Sequence, residues 1–420
     1  MALDQSKEML ETMVSAHAAY RASTLNLIAS ENSLSPTATS LLGNDLVGRY
    51  ADYPGRDLSA RRYRGNRHIV EIESLASDIA RRVFGADNVE LRPLGGHLAG
   101  VALLMALCQP GDTVVELGRE GGGHRLAGRM EGTTFPLRTV GLPFDPLRMN
   151  VDIDQARSVI AETRPNLIVL GSSSFLFPHP VAEIATLVEG MKDTHLAYDA
   201  SHVMGFLASG CFQDPLSEGA DIVFGSTHKT LPGPQGGIIF SNDAELMDRV
   251  TAALTPALVT NHHAFRIPSL ALSLLEMEQW GAELYKRTVR TGNSIGAVLE
   301  ENGVPCVRVD DEYTRSHTVL ASVSELGGAE LAAARLEEAG IITNSARIPD
   351  EWGGEGIRLG LQEVTRRGAD DAFAVGTGEL IAGVLHGDRS PGDFAHATGE
   401  LVSRLGPVGF TWSASTSDHV

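Results

Sequence analysis

The run Ile222-Val223-Phe224-Gly225-Ser226-Thr227-His228-Lys229-Thr230-Leu231-Pro232-Gly233-Pro234-Gln235-Gly236-Gly237 decides the fold class. It begins with a short apolar segment and breaks at Gly225-Ser226. A lysine follows in a turn of small and polar residues, and a second apolar segment opens at Gly237. Segments like these recur upstream at Thr113–Leu117, Leu167–Leu170 and 196–198, each bounded by Gly, Asp, Pro or Ser. Helical patterns lie between them. Continuous apolar strands alternating with helices predict an α/β fold with a mainly parallel sheet covered on both faces.

Outward from this run, helices are expected at 4–20, 68–84, 95–107, 268–302, 328–338 and 368–385. Further strands are expected at 318–323, 341–343 and 357–359. The expected organisation has three parts. Residues 1–55 form an N-terminal helix and active-site loop segment. Residues 56–270 form a large domain, and residues 271–420 a long helix with a smaller C-terminal α/β domain. The stretch from Leu25 to about Asn66 is a loop dense in Gly, Pro, Tyr and Arg, and the tail after Gly406 is expected to be poorly ordered.

Composition narrows the function. The 420 residues are 43% hydrophobic, enough for a sizeable core. With 34 basic and 53 acidic residues the net charge is −19, which repels nucleic acid and anionic membranes. Three cysteines, Cys108, Cys211 and Cys306, without a CxxC pair give neither a disulfide framework nor a zinc pattern. No metal is expected. No apolar run of membrane length occurs, and residues 1–20 carry Asp4, Lys7, Glu8 and Glu11, so the expected setting is cytoplasmic.

Four local patterns could carry chemistry. Lys229 stands at a strand end in a small-residue turn, where desolvation lowers an amine's pKa and favours Schiff-base formation. Asp199 ends another strand, 30 residues earlier, and His202 follows it. A buried carboxylate there can keep a pyridine nitrogen protonated. Gly121-Gly122-Gly123-His124 lets backbone approach a flat ligand with an imidazole above it. Gly95-Gly96-His97 opens a helix whose free N–H groups suit a phosphate. Each has a plain alternative: a solvated lysine, an N-capping aspartate, an incidental histidine in a glycine turn, an ordinary helix start. Their order along the chain is far more specific than any one of them, and it resembles the order found in fold-type-I pyridoxal-5'-phosphate (PLP) enzymes.

Longer motifs sharpen this. Asn26-Leu27-Ile28-Ala29-Ser30-Glu31-Asn32, Arg49-Tyr50-Ala51-Asp52-Tyr53-Pro54-Gly55 and Arg62-Tyr63-Arg64-Gly65 resemble motifs of the serine hydroxymethyltransferase family. Gly122-Gly123-His124, Asp199-Ala200-Ser201-His202, Thr227-His228-Lys229-Thr230 and Arg358-Leu359-Gly360 follow in that family's order. The likeness covers about residues 25–370. It implies a PLP-dependent transferase or aldolase with a seven-stranded-type sheet, acting on β-hydroxy-α-amino acids by Cα–Cβ cleavage. It implies that Lys229 holds the cofactor and that Asp199 binds the pyridine nitrogen. His124 would stack on the ring, and His202 would lie near the ring oxygen. Ser226, Gly95, Gly96 and His97 would line the cofactor site. Thr227 and His228, beside the lysine, would belong with Lys229, Tyr50 and Asp52 to the catalytic set, and Arg358 and Ser30 would grip the substrate carboxylate. Tyr50, Asp52, Asn261 and His262 would reach a neighbouring subunit's site, so the resemblance implies at least a homodimer. Asp52 stands where the family has a glutamate that takes a proton.

Departures from the family bear on the substrate. Gly95-Gly96-His97 replaces a Ser-Gly-Ser turn, Arg64 replaces a tyrosine, and Gln235 replaces an arginine. A Gly pair that reaches the partner's phosphate is replaced near Thr260-Asn261-His262-His263. The segment between Asn344 and Arg358 is short, with Ala346 where an asparagine is expected, and it lacks elements that help hold folate. Asn261-His262-His263 and Gln362-Glu363-Val364-Thr365-Arg366 are similar to the threonine transaldolase branch. The expected activity is therefore aldol-type and folate-independent, on amino-acid and aldehyde substrates. Tetrahydrofolate-dependent hydroxymethyl transfer is the alternative. A non-catalytic PLP-binding regulator is a third reading, and the presence of Lys229, Asp199, His124 and Arg358 together argues against it.

Overall fold

Seven strands form the central sheet of the computed structural model, which describes residues 3–387 and 390–412. Their order across the sheet is Asn88–Glu90, Gly237–Ser241, Ile222–Ser226, His195–Asp199, Leu167–Leu170, Thr113–Leu117 and Arg138–Leu142. All run in one direction except Gly237–Ser241, which is antiparallel to both neighbours. Four of the strands are buried at every position, as their unbroken apolar runs require. This is the mainly parallel, seven-stranded sheet that the resemblance implied. Asn88–Glu90 and Arg138–Leu142 were not foreseen. One has three residues, and the other is a half-exposed edge strand whose pattern is not continuously apolar.

Helices cover the sheet. Arg67–Phe84 ends at Gly85 in the left-handed region, with φ 61°. Gly96–Leu107 starts at Gly95 with no side-chain cap on its first N–H groups. The 35-residue helix Ile267–Glu301 packs on Arg67–Phe84 at one end and on Asp371–His386 at the other, so it joins the two cores.

The second core surrounds a three-stranded antiparallel sheet, ordered Thr318–Ser322, Glu355–Gly360, Asn344–Arg347. Leu25–Asn26 pairs in parallel with Ile341–Ile342, and Leu25 and Leu27 pack with Ile295, Val319 and Leu359. The loop that carries Ser30 is thus anchored on the C-terminal part of the chain. A helix that the sequence reading did not foresee, Pro391–Ser403, closes this core.

The helix Leu3–Ala22 buries no residue, and Leu3, Leu10, Met13 and Val14 are exposed on it. The expectation of a poorly ordered tail after Gly406 is corrected for residues 407–412. The Gly409 N–H donates to the Arg366 carbonyl at 2.7 Å, and the Trp412 ring lies 4.8 Å from Trp280. Residues 413–420 lie outside the described residues. Among the described residues, no helix is long and apolar enough to cross a membrane, and no group of His, Cys, Asp and Glu could hold a metal ion.

Candidate active site

The C-terminal ends of the parallel strands bring the candidate residues together, as strand ends do in open α/β sheets. Lys229 lies just beyond Ile222–Ser226, and its Nζ donates to Ser226 Oγ at 3.3 Å. Burial lowers the amine's pKa, the Asp199 carboxylate opposes that shift, and Arg358 adds to it. The turn is held from both sides. Gly233 N–H donates to the Thr227 carbonyl at 3.0 Å, and Asn32 Nδ2 donates to the Lys229 carbonyl at 2.7 Å. Thr227 is fully buried and its hydroxyl donates to the Pro234 carbonyl at 2.6 Å, so it shapes the turn instead of facing the amine. His228 turns into a cavity of about 860 Å³ that Ser30, Asn32 and Gln235 also line. Burial pushes its imidazole down to about 4, and its Nδ1 has no partner.

Asp199 ends its strand and accepts the Ser201 N–H at 2.9 Å. The Ser201 hydroxyl in turn accepts the Ser226 N–H at 3.1 Å, which fixes the two strand ends relative to one another. Gly96 packs on Ser226 so closely that a Cβ there would meet Ser226 Oγ at 2.4 Å. The space in front of Gly95 is open.

His124 is carried by a loop with three anchors. Glu116, on a buried strand, accepts the N–H groups of Ala127 and Gly128 at 3.1 and 2.9 Å. Gly123 N–H donates to the Gly118 carbonyl at 2.9 Å, and a Cβ on Gly123 would lie 1.8 Å from the Leu117 carbonyl oxygen, so only glycine fits. The Gly122 carbonyl accepts the Ser173 N–H at 2.7 Å. His124 Nε2 lies 3.3 Å from His97 Nδ1. Burial lowers both imidazoles, with Asp199 opposing and Arg129 assisting.

Arg358 reaches this cluster from the small sheet. Its Nη1 donates to the Ser173 carbonyl at 2.5 Å and its Nη2 to Asn344 Oδ1 at 3.2 Å. Its Nε is buried with no partner. Gln362 donates to the carbonyls of Ile28 and Glu31 at 3.0 and 2.5 Å, and buried Arg366 donates to the Ser33 carbonyl. The Gln362–Arg366 segment therefore braces the Ser30 loop.

Asn261 and His262, expected to reach a neighbouring subunit's site, hold the Tyr50–Tyr53 loop within their own chain. Asn261 Oδ1 accepts the Ala51 N–H at 3.0 Å. His262 is 2% exposed and bonded to Glu73, which pairs with Arg61 beneath the Ala51 carbonyl. Their polar spacing was legible, but their partners, Ala51 for Asn261 and Glu73 for His262, lie 210 and 189 positions away in sequence. Tyr50 is exposed, and its ring packs at 4.7 Å and a 44° tilt against Tyr63. Residues missed by the sequence reading include Glu116, Ser173 and His317. Each looks like an ordinary strand or loop residue until the fold turns it inward.

The arrangement fits PLP on its own terms. It offers a buried low-pKa amine, an opposed carboxylate, an uncapped helix start fronted by open space, and a guanidinium with a free buried edge. Residues 3–379 match the sequence model of serine hydroxymethyltransferase. The chain belongs to the serine hydroxymethyltransferase family. It is a PLP-dependent enzyme. The serine hydroxymethyltransferase of Pyrobaculum arsenaticum is 39% identical over 378 residues, covering 89% of this chain and 87% of that protein. That of Metallosphaera sedula is 36% identical over 406 residues, covering 95% and 93%. Within the same fold, the L-threonine transaldolase of Pseudomonas fluorescens, solved in an internal aldimine state, superposes with a TM-score of 0.91. It is 28% identical and covers 97% of this chain and 94% of its own.

Proposed function

We propose that this member of the family cleaves and forms the Cα–Cβ bond of β-hydroxy-α-amino acids without folate, exchanging one aldehyde for another as a threonine transaldolase does. In this reading Lys229 holds the cofactor, Asp199 pairs with its pyridine nitrogen and His124 covers its ring. His202 meets the ring oxygen, Ser226 borders the ring, and Gly95, Gly96 and His97 receive the phosphate. When bound, the cofactor delocalises the carbanion left on Cα. The free Nε edge of Arg358 and the Ser30 hydroxyl orient the substrate carboxylate. Tyr50 and Asp52 serve the site of a neighbouring subunit in a homo-oligomer, where Asp52 takes the β-hydroxyl proton.

One observation carries the folate-free reading. The short segment between Asn344 and Arg358 folds down on its own apolar cluster. Trp352 Nε1 donates to the Pro146 carbonyl at 2.9 Å, and Ala346 and Trp352 pack against Met149, Phe177, Leu320 and Ile348. Asn344 is engaged by Arg358 and by the Ser345 carbonyl. A pteridine edge left without polar partners costs about 1–3 kcal/mol per group. The likeness to the transaldolase structure supports the same reading. The higher identity to the Pyrobaculum and Metallosphaera relatives favours the second one, tetrahydrofolate-dependent hydroxymethyl transfer.

The test is direct. Enzyme, threonine and a second aldehyde are incubated without folate, and acetaldehyde release is followed. Tetrahydrofolate is then titrated into enzyme with glycine while the visible band is watched. Acetaldehyde with no folate response supports the proposal. A large saturable response at micromolar folate, without threonine turnover, replaces it with the second reading.

A further inference from the structure

His202 and His317 form a buried pair. Their rings stack at 5.4 Å with 23° between planes, and His202 Nδ1 lies 3.3 Å from His317 Nε2. His317 is completely buried and His202 is 5% exposed. Their charged neighbours are Lys229 and Arg358, with His124 also beside His202, so the pair sits between the amine and the guanidinium of the site.

The hydrogen bonds determine where the protons are. His317 Nε2 lies 3.2 Å from the Ala29 carbonyl oxygen, and His317 Nδ1 lies 3.0 Å from the Ser316 hydroxyl. A carbonyl can only accept, so His317 Nε2 carries a proton. Burial pushes His317 down to about 3 and His202 well below its ordinary value, so both rings are neutral and each has one N–H. His317 Nδ1 is then the bare nitrogen, and it accepts from Ser316. The protonated His317 Nε2 offers no lone pair to His202. His202 Nδ1 faces that N–H, shares it with Ala29 as a bare nitrogen, and leaves the single His202 proton on Nε2. The Thr318 hydroxyl, 3.2 Å from His317 Nε2, can accept a share of the same N–H without changing this assignment.

We propose that His317 is a positioning residue that fixes His202 as an Nε2–H donor to the phenolic oxygen of the cofactor, and that ties this donor through Ala29 to the Ser30 loop. This rests on reading the Lys229 cluster as the cofactor site. A donor at that oxygen favours its anionic form, whereas the other tautomer of His202 would face it with a lone pair. The link through Ala29 couples the seating of the cofactor to the loop beside the substrate carboxylate.

The holoenzyme is labelled with ¹⁵N-histidine, and the ring-nitrogen spectrum reports which nitrogen of His202 is protonated. His317→Gln can still present an N–H to Ala29, and His317→Leu cannot. The expected result is Nε2–H on His202 in the parent and in His317→Gln. In His317→Leu the tautomers mix and the PLP dissociation constant rises about tenfold, one hydrogen bond's worth. An Nδ1–H form in the parent, or a His317→Leu protein with unchanged tautomer and affinity, overturns the proposal. If His317→Leu does not fold, the parent spectrum decides alone. His202→Ala separates the two levels: if it leaves PLP affinity and the visible band unchanged, the reading of the cofactor site fails whatever the tautomer.

Discussion

His97 Nδ1 lies 3.3 Å from His124 Nε2, and the two rings meet edge to face at 5.4 Å. One nitrogen of His97 is thus engaged by the imidazole expected to cover the cofactor, and the residue itself belongs to the first turn of the uncapped helix. A single side chain can brace the ring and meet the phosphate, in place of a serine that does only the latter. His97→Ala should raise the PLP dissociation constant by about tenfold, the loss of one hydrogen bond. His97→Ser should recover part of that loss. Equilibrium dialysis with absorbance of the bound cofactor measures both, and affinity equal to the parent in His97→Ala would refute the bracing role.

Arg358 is anchored by Ser173 and Asn344 and has a free buried Nε. A lysine keeps the charge but not the planar fork. Arg358→Lys should raise KM for threonine on the order of 30-fold, about 2 kcal/mol of charge-assisted hydrogen bonding, with a smaller change in kcat. Steady-state kinetics with both constants resolved is the check. An unchanged KM would place the carboxylate elsewhere.

His179 is buried against Phe175, its Nε2 has no partner, and burial pushes it down to about 3. An unfolded histidine titrates near 6.5, so the unfolded chain takes up the proton first. This contribution to stability is complete above about pH 6.5 and is lost as pH falls toward 3. By pH 5 one such group has cost about 2 kcal/mol. His179→Phe removes that titration, and urea midpoints at pH 7.5 and pH 5 should lie closer together than in the parent. An equal spread would assign the acid sensitivity to other groups.

Tyr50 lies on the surface of its own chain, near the Asn261 anchor rather than the Lys229 cluster. A site shared between subunits predicts complementation. Tyr50→Phe and Lys229→Ala proteins, each inactive, should regain about a quarter of the parent sites when unfolded and refolded together, because mixed dimers keep one intact pair. Sedimentation should show at least a dimer before mixing. A monomer, or a mixture with no activity, would place the whole site in one chain.

Much of this was legible in the sequence because its signals are local. The strands Thr113–Leu117 and Leu167–Leu170 are unbroken apolar runs with clear stops, and Lys229 and Asp199 follow such runs directly. The direction of Gly237–Ser241 was not legible. Strand polarity depends on pairing, and this strand reverses after a turn that reads like the others. The intrachain contacts of Asn261 and His262 were not legible because a polar cluster shows no sign of which element will face it. His317 escaped notice because a lone histidine at a strand start is usually unremarkable. Its meaning comes from Ala29, 288 positions away.

The pairing of Leu25 with Ile341 also bears on how the protein is made. The Ser30 loop is made more than 300 residues before its braces at Ile341, Gln362 and Arg366. At about 5–20 residues per second, the early segment waits roughly 15–60 s for them. During that time its apolar Leu25 and Leu27 have no native partner. Until then that segment lacks its native cover, and catalytic competence arrives only after Arg366 has been made.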